Sequence, residues 1–224
     1  MYVQIKARVH KESAQGTILQ VLVPNTSLTD HIAKYAQNGS VPGTLWLDDG
    51  RTLTADQRRK CFATIRDISE WNGDDINTNH WWLKNMHIAK TGGKIFSMSD
   101  CSVTTARYYI TFLLDFCLEW DVPLSESILD RADDIAAVLY GCLVNKKCCI
   151  CGNPAEGHHT KAIGMGRNRK TIVHLGMELI ALCRKHHSEA HSRGWTAFSE
   201  LYHVFGIAAD EVICGVYGLN VKKR

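Results

Sequence analysis

Between Cys148 and His191 the chain carries Cys148, Cys149, Cys151, His158, His159, His174, Cys183, His186, His187 and His191, a dense run of soft and borderline metal ligands. Spacing divides them into two groups. Cys148-x2-Cys151 and Cys183-x2-His186 are short chelate loops about thirty residues apart, and thiolates with an imidazole at that spacing favour tetrahedral zinc. Gly152 and Pro154 turn the chain just after the first pair. Cys149 is not assigned as a ligand, because Cys-x-Cys is the poorer chelate.

The second group is His158-His159 with His187-x3-His191. Arg184 to Arg193 contains neither Gly nor Pro and reads as a helix, on which residues four apart share a face and can offer two imidazoles to one ion. Adjacent residues at the end of a strand point to opposite sides. One of the two neighbouring histidines then faces a metal and the other a substrate, which separates a ligand from a proton acceptor as hydrolysis beside a bound phosphate requires.

Cys148-x2-Cys151, the His158-His159 pair and Leu182-Cys183-Arg184-Lys185-His186-His187-x3-His191 resemble the HNH endonucleases, built on a ββα-metal finger, over roughly residues 146 to 195. The likeness is strongest to phage members and to phage recombination nucleases with a similar knuckle. It implies His159 as general base, His158, His187 and His191 around a catalytic divalent ion (Mg2+, Mn2+, Ni2+ or Zn2+), and Cys148, Cys151, Cys183 and His186 around a structural zinc that braces hairpin to helix. The Asn that orients the base in the simplest members has no counterpart at the two equivalent positions, which hold His174 and Glu178. His174, fifteen residues after His159 as suits the second strand of a hairpin, is favoured as the orienting residue; Glu178 stays open as an outer partner or a surface charge.

Phosphate contacts are expected from the loop Gly164 to Lys170, through Arg167, Arg169 and Lys170, and from Arg184 and Lys185. Charge agrees. Residues 141–224 hold 12 Lys+Arg against 6 Asp+Glu, whereas residues 1–140 hold 14 against 17, so the net charge of +3 is concentrated where a polyanion would be met. Four of the nine cysteines cluster with histidines between Cys148 and His191, which is read as metal ligation and not as a disulfide framework and points to a reducing compartment. No secretory leader is read at Met1 to Ile5, and the apolar run Tyr108 to Trp120 is interrupted by Asp115 and Glu119, so no membrane span is expected.

The elements that must position these residues define an α+β fold, with an N-terminal domain over 1–140 and a nuclease-like domain over 141–224. Tyr2 to His10 and Thr17 to Pro24 alternate as strands, pairable across a Lys11 to Gly16 turn, with a third candidate at Val41 to Leu47. Helices are predicted at Leu28 to Ala36, after the Thr54-x-x-Gln57 capping box to Asn72-Gly73, at Asn77 to Ala89, at Thr104 to Trp120 and at Ser127 to Val144. A weaker resemblance to phage recombination mediators of the lambda Orf type runs through Arg51-Thr52-Leu53, Gln57-Arg58 and Asp67-Ile68-Ser69 to Ser97, Ser99 and Phe112-Leu113-Phe116. It implies single-strand DNA binding, for which Arg51, Arg58, Arg59 and Lys60 are the natural cations. Trp81 and Trp82 could stack on bases, although aromatic residues in a helix more often belong to the core.

The expected function is metal-dependent DNA cleavage in phage recombination or processing, in the cytoplasm of a host, on single-stranded or branched DNA or on duplex, beside phage recombination proteins. The alternatives are a noncleaving zinc-dependent DNA-binding accessory protein and a zinc-stabilised module that binds protein. Oligomeric state is not readable from the chain.

Overall fold

The computed structural model describes residues 5–14, 16–23, 27, 29, 50–161 and 172–222. The chain divides into two compact units, Met1–Leu47 and Asp48–Arg224. Among the described residues of the first, β1 (Lys6–Ser13) and β2 (Gly16–Leu22) form an antiparallel hairpin. Its turn is tighter than the sequence suggests, because Lys11 and Glu12 continue the ladder opposite Ile18 and Thr17, and a register shift between Val9 and Lys11 absorbs the extra residue. The helix expected at 28–36 and the strand at 41–47 lie outside the described residues.

The second unit begins with three helices whose ends follow local chemistry. Helix α1 (Ala55–Asn72) starts at the capping box: Thr54 Oγ1 accepts from the Gln57 amide and Gln57 Oε1 from the Thr54 amide, both at 3.0 Å. Gly73, at φ 80°, ends it in the left-handed region. Helix α2 (Ile76–Thr91) is capped by Asp75 and α3 (Val103–Glu119) by Ser102. Helix α3 is the core element: Tyr109, Ile110, Leu113 and Leu114 have no exposed surface, and Ile65, Ile68 and Leu83 from α1 and α2 belong to the same core.

The stretch expected to be one helix over 127–144 is two, α4 (Ile128–Arg131) and α5 (Ile135–Val144). Ala132 turns to extended backbone, its carbonyl accepts from Lys60 Nζ at 2.7 Å, Asp133 accepts from Gln57 Nε2 and Arg107 Nε, and Asp134 caps α5. These contacts to distant residues offset the lost helical turn. Arg131, 2% exposed, pairs with Asp67 and Glu126 beside the break.

Residue 140, the division expected from charge and motif, falls within α5, which packs on both α3 and the following sheet. That sheet has the order β3 (Glu156–His159), β4 (Glu178–Leu182), β5 (Ile207–Ala208), all antiparallel. Leu179, Ile180, Ala181 and Leu182 are fully buried. Helix α6 (Arg184–Arg193) follows β4 directly and packs on β3 and β4, which makes β3-β4-α6 the ββα finger; α7 (Trp195–Tyr202) and α8 (Glu211–Tyr217) complete the chain. No helix among the described residues is long and apolar enough to cross a membrane.

Candidate functional site

The first knuckle is a tight turn between α5 and β3. The Gly152 amide donates to the Cys148 carbonyl at 2.8 Å, and Gly152 takes φ 71°, a conformation open to glycine at little cost. The Cys148 amide donates to the Asn153 carbonyl, Lys147 bridges Pro154, and the Cys149 amide reaches the Ala181 carbonyl of β4 at 3.1 Å, so the turn is fastened to the sheet. The second knuckle is the start of α6, where Cys183 is the N-cap residue and His186 lies in the first turn.

These two pieces bring Cys148, Cys151, Cys183 and His186 together. The Cys151 and Cys183 sulfurs are 3.6 Å apart, and His186 Nδ1 lies 3.4, 3.5 and 3.3 Å from the sulfurs of Cys148, Cys151 and Cys183. A tetrahedral zinc, with Zn–S of about 2.3 Å and Zn–N of about 2.0–2.1 Å, sets S···S and S···N edges of about 3.8 and 3.6 Å. The donor set and its spacing therefore fit a structural zinc. Burial pushes the Cys148 thiol up to about 12. Desolvation also acts on Cys183, but the amides of His186 and Lys185 and the two neighbouring thiols hold it below the usual thiol range. Cys149, fully buried and with its thiol pushed up by desolvation, lies outside this group.

The second group meets between β3 and α6. On β3, His158 and His159 diverge as strand neighbours must. His158 is 5% exposed and turns toward α6, its ring 4.7 Å from His187 and 4.9 Å from His191, centroid to centroid. His187 and His191 lie one helical turn apart with rings 5.0 Å apart. Ligand atoms of the three lie within 4.8 Å of one another, close enough to share an ion, and an all-imidazole set suits Zn2+, Ni2+ or Mn2+ better than Mg2+. Burial first, then the neighbouring imidazoles His187, His191 and His159, bring the His158 pKa down to about 4. His158 is thus a neutral donor at physiological pH, as metal ligation requires.

His159 faces a different partner. Its Nε2 is 3.1 Å from Nδ1 of His174, which is 6% exposed and has its pKa lowered by desolvation. His174 is not on the second strand of the hairpin. It sits in the irregular segment before β4, tied by its amide to the Asn220 carbonyl and by its carbonyl to the Met177 amide, both within 2.9 Å. Glu178, which opens β4, accepts from Thr160 Oγ1 at 3.0 Å and pairs with Lys161 at 3.4 Å, so its contacts are with the two residues after His159.

Of the expected phosphate contacts, Arg167, Arg169 and Lys170 lie outside the described residues. Arg184 and Lys185 are exposed at the start of α6. Of the N-terminal cations, Arg58 donates to the Met98 and Ser99 carbonyls, Arg59 pairs with Asp56 and Glu126, and Lys60 pairs with Asp56 and the Ala132 carbonyl. These contacts brace the helices. Trp81 and Trp82, for which base stacking and a place in the core were both open, are 65% and 43% exposed. Sequence reasoning missed Glu156, whose Oε2 lies 3.3 Å from His187 Nδ1. The signal was its place two residues before His158, on the same face of β3.

With this geometry the family follows. The chain belongs to the HNHc nuclease family: the profile of the family described as "Putative HNHc nuclease" matches residues 28–218, most of the chain. Searches of curated proteins and of solved structures found no match.

Proposed function

We propose that the protein is a metal-dependent DNA endonuclease hydrolysing phosphodiester bonds, acting in phage DNA recombination or processing within a host cytoplasm. The observation that carries this reading is the divergence of two adjacent imidazoles, His158 toward His187 and His191, His159 toward His174. His158, His187 and His191 would hold a divalent ion, Zn2+, Ni2+, Mn2+ or Mg2+. When bound, such an ion polarises a phosphoryl oxygen and stabilises the leaving oxyanion.

The histidine pair supplies the proton chemistry. Desolvation lowers the His174 pKa and so favours its neutral form, whose Nδ1 can accept the His159 Nε2 proton across their 3.1 Å contact. That tautomer leaves the proton-accepting lone pair of His159 on Nδ1. When Nδ1 takes a proton from the attacking water, the same contact to His174 stabilises the imidazolium formed. His174 is thus a positioning residue and His159 the base. Cys148, Cys151, Cys183 and His186 would hold the structural zinc that fixes α6 against the sheet. Arg184 and Lys185, with Arg167, Arg169 and Lys170, are assigned to the phosphates of the DNA.

The test is cleavage of duplex, nicked, single-stranded and branched DNA under each divalent ion, with metal content measured on the same preparation. Cleavage that depends on an added ion and on His187 supports the reading. DNA binding without cleavage under every ion would replace it with a noncleaving accessory protein.

A further inference from the structure

Glu156 occupies a position that the proposed chemistry does not yet use. It is the first residue of β3, two before His158, so the pleat puts both side chains on the face turned toward α6. Its Oε2 lies 3.3 Å from His187 Nδ1, a buried nitrogen that makes no hydrogen bond in the structure, while the carboxylate itself is largely exposed and able to turn toward it. Glu156 is not part of the group of ligand atoms that lie within 4.8 Å of one another, so it contacts one imidazole without joining the cluster.

On these contacts, and resting on the metal-site reading above, we infer that Glu156 is a positioning residue for His187. A small rotation of its exposed carboxylate, already 3.3 Å away, lets it accept the Nδ1 proton and so fix the tautomer in which Nε2 is the ligand atom. The two ring nitrogens differ in role only through the hydrogen bond that one of them makes, and a carboxylate on the far nitrogen also raises the basicity of the near one. His158 and His191 have no such carboxylate contact among the described residues, so the effect falls on His187 alone.

The experiment compares the full-length wild type with Glu156→Ala, Glu156→Gln and His187→Ala, all with the zinc knuckle loaded. Titration with Mn2+ and Ni2+ gives the affinity of the second site, and nitrogen-15 NMR of labelled histidine gives the His187 tautomer in the metal-free state. Glu156→Ala should weaken the affinity about tenfold, the lower end of the range for such partners because the carboxylate is exposed, and should release His187 into a mixture of tautomers. Glu156→Gln, whose amide oxygen still accepts, should restore the Nε2-ligating tautomer and most of the affinity. The inference is overturned if Glu156→Ala leaves affinity and tautomer unchanged. It is overturned equally if Glu156→Ala abolishes binding as His187→Ala does, for Glu156 would then be a ligand itself. If His187→Ala retains the wild-type affinity, the metal-site reading is what fails.

Discussion

His159 Nε2 and His174 Nδ1 are 3.1 Å apart, joining a residue on a strand edge to one in an irregular segment fifteen positions on. The account needs His174 as a neutral acceptor. Replacing it with Gln, which keeps an acceptor oxygen, should preserve much of the cleavage rate, whereas His174→Phe should lower kcat by about 10- to 100-fold with little change in KM. Steady-state cleavage kinetics check this, and equal rates in both variants would remove His174 from the mechanism.

Two of the three cysteines at the first knuckle separate ligand from filler. Cys151→Ala should release the structural zinc and with it a large part of the roughly 10–16 kcal/mol that such sites deliver in small fingers, exposing the β3-β4-α6 region to proteolysis. Cys149→Ala should keep the ion and cost only about 1–2 kcal/mol, since that buried thiol bonds to no ligand atom and only its volume is lost. Zinc content and thermal melting of the two variants decide the matter.

Acid should weaken the helical core through His87. This ring is 7% exposed among Phe96, Tyr109 and Phe112, and burial, aided by Lys90, lowers its pKa from 6.5 to about 4. Because the folded value lies below the unfolded one, the neutral ring's contribution is complete above pH 6.5 and is lost as pH falls toward 4. Asp115 works the other way: burial raises it to about 6, so its contribution is complete below its unfolded value and is lost as pH rises through 6. Subtracting the His87→Phe curve from wild type isolates the first effect. Urea unfolding should show wild type losing on the order of 2 kcal/mol relative to His87→Phe between pH 7 and 4.5.

Where residue type and local period carried the information, the chain was legible. The x2 knuckles, the x3 spacing of His187 and His191 and the alternation at His158-His159 each express a fixed geometry of turn, helix or strand, and the rings meet accordingly. The Thr54–Gln57 capping box is equally local. What escaped depends on distant partners. The break at Ala132 is held by Lys60, Gln57 and Arg107. The bonds of Arg58 to the Met98 and Ser99 carbonyls and the pairing of Arg59 with Glu126 likewise join residues far apart in sequence.

The central claim is that one of two adjacent imidazoles serves the ion while the other serves the proton. The most direct measurement pairs DNA cleavage with metal titration of the second site for wild type, His158→Ala and His159→Ala. His159→Ala should bind the divalent ion with wild-type affinity yet cleave at least about a hundredfold more slowly, whereas His158→Ala should lose affinity and cleavage together. Undiminished cleavage by His159→Ala, or loss of the ion from that variant, would contradict the account.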